Sequence, residues 1–168
     1  MGIALIPGSF DPMTMGHLDL IRRVASQHRE VVVALMINPQ KNYTYDRETR
    51  LEIARRTLAS LPNVRVIADD GMLIDLFDRI GAEVVCKGWR NETDLAYERE
   101  MAAWNEAHNP RCRTELIRSE GEHATLSSTE IRRYLREGCL PAGLVHPDAE
   151  ELIRSAFRCD KPENSANV

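Results

Sequence analysis

Long apolar runs are missing from this sequence of 168 residues. A helix needs about 20 consecutive apolar residues to cross a bilayer. The opening run Met1–Ile6 is too short for such a helix or for the apolar segment of a signal peptide, and Asp11 follows soon after it. We therefore expect a cytoplasmic protein with no membrane partner.

Closely spaced cysteines are missing, which argues against the common cysteine sites. The four cysteines are far apart and include no C-x-x-C pair, unlike a structural zinc site or a thioredoxin-like redox motif. We interpret them as reduced and mostly as packing residues, and we predict no metal held by the protein itself. They are Cys86, Cys112, Cys139 and Cys159.

An excess of positive charge is also missing. The 22 Lys and Arg residues are outnumbered by 26 Asp and Glu residues, and the formal net charge is −4. We therefore expect no nucleic-acid partner. The length suits one domain with one substantial core. Without repeats or a linker, we predict a single domain over residues 1–159 and a flexible polar tail over residues 160–168.

Short β-branched runs alternate with longer amphipathic segments along the chain. This alternation is typical of a parallel sheet with crossover helices. We predict an α/β fold, a single-domain Rossmann-like open parallel sheet with helices on both faces. The predicted strands are Ile3–Ile6, Val31–Met36, Val64–Ile67, Val84–Cys86 and Thr114–Ile117. The predicted helices are His17–Ser26, Asp46–Ala59, Leu73–Ile80, Asp94–His108, Thr129–Arg136 and a last helix from Pro147 to about Phe157.

The segment PGSFDPMTMGH, residues 7–17, directly follows the first predicted strand. Gly8 and Gly16 allow close approach of the backbone, and the free N–H groups at the start of the next helix attract negative charge. His17 adds N–H donors at the same place. These features favour a phosphate site. The spacing alone equally allows a plain helix cap at His17 and a turn closed by Ser9.

Three separated motifs carry a resemblance to a known family. The first segment resembles the T-x-G-H signature of the nucleotidyltransferase superfamily related to class I aminoacyl-tRNA synthetases. Its residue pattern GSFDP-x-T-x-GH is similar to that of bacterial phosphopantetheine adenylyltransferases. Residues 87–105, KGWRNETDLAYEREMAAWN, resemble that family's R-G-L-R-x-x-x-D-F-E-Y-E-x-Q-M-A-x-x-N block. Residues 123–132, HATLSSTEIR, resemble the I-S-S-[ST]-x-[IV]-R motif. The motifs occur in the family's order, and the resemblance spans roughly residues 2–155.

The resemblance implies a specific reaction. The family transfers AMP from ATP to 4′-phosphopantetheine, which gives dephospho-coenzyme A and pyrophosphate in coenzyme A biosynthesis. It also implies a homohexamer and Mg²⁺ that accompanies ATP, bound through phosphate oxygens and water.

The family's motifs also imply roles for individual residues. His17 matches the contact that stabilises the α-phosphate in the transition state, Lys41 the lysine that holds the acceptor phosphate, and Arg90 the arginine that grips the ATP phosphates. The residues implied for ATP are Ser9, Phe10, His17, Gly88, Trp89, Arg90, Glu98, His123, Ala124, Thr125, Leu126, Ser127, Ser128 and Thr129. Those implied for 4′-phosphopantetheine are Ser9, Lys41, Leu73 and Lys87. From the residues alone, Lys41 also fits a solvated loop lysine and Leu73 a core leucine.

The sequence departs from the family's pattern at several positions. Lys87 stands where arginine is common, which replaces a planar fork by a point charge. His123 stands where an aromatic residue is frequent, and Leu95, Ala96 and Glu100 replace Phe, Glu and Gln. We expect Lys87 to affect acceptor affinity or selectivity, and the changes on the helix to affect packing or subunit contacts.

Alternative functions stay open at this point. Another nucleotidyltransferase, acting on nicotinate mononucleotide or glycerol 3-phosphate, usually carries an H-x-G-H motif, whereas Thr14 occupies the first histidine position here. A class I tRNA synthetase fragment is disfavoured because no K-M-S-K-S segment is present. A non-catalytic nucleotide-binding module would bind ATP without releasing pyrophosphate.

Overall fold

The computed structural model describes residues 2–158, which form one five-stranded sheet and six helices. Cys159 and the predicted tail at residues 160–168 lie outside the described residues, so the predicted domain division stays a prediction. The strands are β1 Ile3–Gly8, β2 Glu30–Met36, β3 Val64–Asp69, β4 Val84–Trp89 and β5 Thr114–Arg118. The helices are α1 Met15–Ala25, α2 Arg47–Leu58, α3 Leu73–Arg79, α4 Glu92–His108, α5 Ser128–Glu137 and α6 Pro147–Ala156.

The strands are parallel throughout and lie in the order β3-β2-β1-β4-β5. The chain moves outward from β1 through β2 to β3 and then returns to place β4 on the other side of β1. The order therefore reverses between β1 and β4. In open parallel sheets, ligands bind in the crevice outside the carboxyl ends of the strands at this reversal.

Two apolar clusters cover the two faces of the sheet. Successive strand residues point to opposite faces, and Ile6 and Val33 belong to one cluster while Leu5 and Val32 belong to the other. Buried side chains of α1, α2, α5 and α6 complete the first cluster, whereas α3 contributes to the second. The prediction of an open parallel sheet with helices on both faces is therefore confirmed.

Every predicted strand lies within an observed one, and the helix ends differ by at most two residues. The predicted starts of α1 and α4 each lie two residues inside the observed helix, whose start is set by its N-cap. The predicted start of α4 is Asp94, whereas Asn91 is the N-cap and its side chain accepts a hydrogen bond from the Asp94 N–H at 2.9 Å. Gly138 ends α5 as expected, with a left-handed φ of 69°.

The sequence also predicted that the cysteines are reduced packing residues and that no segment spans a membrane. Cys86 and Cys112 are buried and unpaired, as expected for packing residues, whereas Cys139 is unpaired and exposed. Among the described residues, no helix combines the length and the apolar character needed to cross a membrane.

Candidate active site

A cavity of about 390 Å³ opens at the carboxyl ends of β1 and β4. The loop after β1, the start of α1, the end of β4 and the start of α5 all contribute to its wall. This is the position expected from the reversal of strand order. Predicted site residues that line it are Ser9, Phe10, His17, Lys41, Lys87, Gly88, Arg90, Glu98, His123, Leu126, Ser127, Ser128 and Thr129.

Four predicted site residues are not among those that line the cavity: Trp89, Ala124, Thr125 and Leu73. The Arg118 guanidinium carbon lies 5.7 Å from the centre of the Trp89 ring. Leu73 opens α3 and packs against the second apolar cluster, which is the alternative that helical periodicity allowed. The structure does not bring these four to the cavity, and their ligand roles stay predictions.

His17 combines the two roles that the spacing left open. The Thr14 backbone N–H donates to Nδ1 of His17 at 2.9 Å, and the His17 N–H donates to Oγ1 of Thr14 at 3.3 Å. This reciprocal pair caps α1. Because Nδ1 accepts a hydrogen bond, a neutral ring carries its proton on Nε2. The ring also lines the cavity, so His17 is both a cap and a cavity donor.

The environment keeps His17 uncharged. Burial, together with the positive charges of Arg90 and Lys87, lowers the pKa of His17 from 6.5 to about 4. The Phe10 ring meets the imidazole edge to face, with centroids 5.0 Å apart. At neutral pH, His17 therefore presents a neutral N–H donor rather than a cation.

Two glycines permit the close packing at the cavity wall. A Cβ atom at Gly16 would lie 3.1 Å from the carbonyl oxygen of His123, and one at Gly8 would lie 2.8 Å from the Phe10 ring. Phe10 itself adopts a left-handed φ of 47°, a conformation uncommon for non-glycine residues. A side chain at Gly16 would push the first motif away from the third, and one at Gly8 would displace the Phe10 ring.

Besides Arg132, three Lys and Arg side chains line the cavity together with His17. Arg90 donates through Nε to Asp94 at 2.9 Å, and the Lys87 ammonium lies 3.4 Å from a Glu98 carboxylate oxygen. On the other side of the cavity, Lys41 donates to the Ser9 hydroxyl at 3.1 Å. Cations placed around a concave surface concentrate anionic ligands there. The arrangement therefore suits a ligand with more than one phosphate group.

The start of α5 is docked onto the loop after β1. The Ser128 hydroxyl donates to the Pro12 carbonyl at 2.8 Å, and the Arg132 guanidinium donates to the Asp11 carbonyl at 2.8 Å. The Ser127 hydroxyl accepts from the Glu130 N–H as the N-cap. The hydroxyl proton of Ser128 is thus engaged within the protein, whereas that of Ser127 is available to a ligand beside the positive end of the helix.

The first and third motifs contain two residues, Asp11 and Arg132, for which the sequence predicts no role in the site. Asp11 is 6% exposed, and its carboxylate accepts the backbone N–H groups of Thr44 at 2.9 Å and Tyr45 at 3.0 Å. Both residues line the cavity. The first motif draws attention to Asp11, but neighbouring residues in the sequence do not predict that its carboxylate binds N–H groups more than thirty positions away.

Comparison with known proteins assigns the family. Residues 5–134 match the cytidylyltransferase-like family. The phosphopantetheine adenylyltransferase of Symbiobacterium thermophilum is 40% identical over 95% of this chain and 98% of its own length. That of Limosilactobacillus reuteri is 39% identical over 99% of both, and that of Clostridium tetani is 37% identical over 98% of this chain and 99% of its own. This chain belongs to the phosphopantetheine adenylyltransferases. Membership in that family confirms the assignment made from the three motifs.

A solved structure supports the fold independently of close sequence similarity. A putative nicotinate-nucleotide adenylyltransferase from Vibrio parahaemolyticus superposes with a TM-score of 0.71 over 90% of this chain and 97% of its own, at 19% identity. At this identity the likeness concerns the architecture. This chain therefore shares the architecture of that protein.

Proposed function

We propose that this chain transfers AMP from ATP to 4′-phosphopantetheine, with dephospho-coenzyme A and pyrophosphate as products. The observation that carries the proposal is the cavity in which the neutral His17 ring and three of the four lining cations, Lys41, Lys87 and Arg90, surround one space. Such a set binds two phosphate-bearing substrates without a covalent nucleophile. Full-length similarity to the phosphopantetheine adenylyltransferases supports the choice of acceptor.

The chemistry needs placement more than acid–base catalysis. The acceptor phosphate is anionic at neutral pH, and one of its oxygens attacks the α-phosphorus of ATP. A new P–O bond forms to AMP as the bond to the β-phosphate oxygen breaks, and pyrophosphate leaves with that electron pair. Holding the groups in line and stabilising the developing charge dominate catalysis of this kind. The Nε2–H of His17 is the donor proposed for the α-phosphate oxygen.

The cations divide between the two substrates. Arg90 and the start of α5, with Ser127 and Thr129, hold the β- and γ-phosphates. Lys41 and Lys87 hold the phosphate of 4′-phosphopantetheine from opposite ends of the cavity wall. Glu98 remains paired with Lys87 and directs its ammonium.

Mg²⁺ is proposed to enter with ATP. Three acidic residues line the cavity, and each is already engaged: Asp11 by two backbone N–H groups, Asp94 by Arg90 and Glu98 by Lys87. Within residues 2–158, no group of three or more His, Cys, Asp or Glu is arranged to hold a metal ion. These residues fit a magnesium ion held by phosphate oxygens and water. Bound in this way, it neutralises charge on the leaving pyrophosphate.

Incubation with Mg·ATP and each candidate acceptor tests the proposal. We expect dephospho-coenzyme A and an equal amount of pyrophosphate with 4′-phosphopantetheine. Nicotinate mononucleotide and glycerol 3-phosphate serve as alternative acceptors. A product from either of them in place of dephospho-coenzyme A would contradict the choice of substrate, and ATP binding without pyrophosphate release would indicate a non-catalytic module.

Self-association into a homohexamer and a cytoplasmic location are part of the same proposal. Tyr97, Met101 and Trp104 are 61%, 43% and 42% exposed and recur at the spacing of one face of α4. An exposed apolar stripe of this kind is typical of an interface. Light scattering tests the proposed hexamer: we expect six copies of the chain for the wild type and a smaller species for Met101→Glu. A monomeric wild type would contradict it.

A further inference from the structure

Arg50 is a buried charged side chain that the proposed reaction does not use. It lies in the first turn of α2 and is 2% exposed. Burying a charge is costly unless hydrogen bonds and polar neighbours compensate for the lost water. The partners of Arg50 are therefore informative.

Arg50 joins two loops. Its Nη1 donates to the Ser9 carbonyl at 3.1 Å, in the loop after β1, and its Nε donates to the Tyr45 carbonyl at 3.1 Å, in the loop after β2. The guanidinium carbon lies 3.8 Å from the centre of the Tyr43 ring. This arrangement uses both the fork and the flat face of arginine, neither of which lysine has.

The same two loops carry the proposed contacts to the acceptor phosphate. Lys41 Nζ donates to Ser9 Oγ at 3.1 Å and lies 5.6 Å from the centre of the Tyr43 ring. Tyr43 is itself held by the Asn38 N–H, which donates to its hydroxyl at 2.9 Å. Arg50 thus contacts both the residue that Lys41 binds and the ring beside the Lys41 ammonium.

We propose that Arg50 is a positioning residue for the acceptor phosphate. By holding the Ser9 carbonyl and the Tyr43 ring, it keeps Ser9 Oγ and Lys41 Nζ at one position, where both meet the phosphate. Arg50 acts through these residues and does not touch the substrate. This inference rests on the proposed function, because it names the acceptor end of that site.

Steady-state kinetics of Arg50→Lys test the proposal, with two control variants in the same helix. Arg55→Lys makes the same change at an exposed position, and Leu58→Ala lowers stability at a buried position. We expect Arg50→Lys to raise the KM for 4′-phosphopantetheine about 10-fold or more, the range for a lost charge-assisted hydrogen bond. ATP affinity should stay within about twofold of wild type, as expected when only one substrate's binding is affected. A KM change in Leu58→Ala equal to that in Arg50→Lys would overturn the proposal.

A second pair of variants covers the case in which Arg50→Lys does not fold. Tyr43→Leu removes the ring that faces the guanidinium, whereas Tyr43→Phe keeps it. We expect Tyr43→Leu to raise the same KM and Tyr43→Phe to raise it less. Equal values for the two variants would overturn the role of the Arg50–Tyr43 contact.

Hydrogen exchange separates this inference from the proposed function. If the wild type forms no dephospho-coenzyme A, the proposed function fails, but exchange across residues 38–45 still reports whether Arg50 orders the Lys41 loop. We expect faster exchange there in Arg50→Lys than in Leu58→Ala. Equal exchange in the two variants would show that Arg50 has only a general structural role.

Discussion

The Thr14 backbone N–H donates to Nδ1 of His17 at 2.9 Å. The reverse contact, from the His17 N–H to Thr14 Oγ1 at 3.3 Å, completes a capping box in which imidazole replaces the usual Glu or Gln side chain. A neutral ring held in this way carries its proton on Nε2. The start of α1 and the proposed catalytic donor are therefore set by the same two residues.

Replacement of His17 should affect turnover more than ATP binding. Loss of one preorganised donor to a transition state typically costs about 10²–10³ in kcat. We expect His17→Ala to lose kcat in that range while ATP affinity, measured by calorimetry, changes far less. His28→Ala, outside the cavity, is the control. A kcat for His17→Ala within a few-fold of wild type would remove His17 from the mechanism.

The depressed pKa of His17 predicts a specific pH dependence of stability. The folded pKa is about 4 against 6.5 for the free side chain. Between about pH 6.5 and pH 4, the unfolded chain binds a proton at His17 that the folded chain does not. The free energy of unfolding therefore decreases as the pH is lowered through this range. Thermal unfolding of His17→Gln should lose this contribution and show a flatter decline over that window. Parallel curves for the variant and the wild type would contradict the lowered pKa.

Arg90 should matter for ATP and Lys41 for the acceptor. Loss of a charge-assisted contact costs about 1.5–3 kcal/mol, or roughly 10- to 150-fold in affinity. We expect Arg90→Ala to weaken ATP binding in calorimetry and Lys41→Ala chiefly to raise the KM for 4′-phosphopantetheine. Arg56→Ala is the matched control, because Arg56 forms an exposed ion pair of the same spacing with Glu52. Unchanged ATP affinity in Arg90→Ala would take Arg90 out of the phosphate site.

Lys87 offers a test of the family departure. Its ammonium lines the cavity 3.4 Å from Glu98 and matches a phosphate by charge alone, without a planar fork. We expect Lys87→Ala to lower kcat/KM for 4′-phosphopantetheine by about 10-fold or more, and Lys87→Arg to retain or improve it. Arg22→Ala, an exposed cation on α1, is the control. An unchanged kcat/KM in Lys87→Ala would contradict a contact with the acceptor.

Much of the fold and the centre of the site were predictable from local sequence. Each predicted β-branched run lies within an observed strand. Such strands are predictable because the apolar pattern and the flanking turn residues that favour them lie within a few positions of one another in the chain. His17, Lys41 and Arg90 were predicted for one site because their motifs match the family's and each follows a predicted strand. The carboxyl ends of parallel strands share one edge of the sheet, and all three residues line the cavity there. The family assignment rested likewise on contiguous motifs.

The α/β order, the motifs and the family follow from the sequence alone, whereas long-range packing sets how the motif residues are held. Burial and the charges of Lys87 and Arg90, which follow in the chain only after 70 or more residues, lower the pKa of His17. Arg50 reaches the Ser9 carbonyl across 41 positions, and Leu73 packs against the second cluster instead of lining the cavity. Such contacts depend on which helices, strands and loops the folded sheet brings together, and a local sequence pattern does not specify these long-range neighbours.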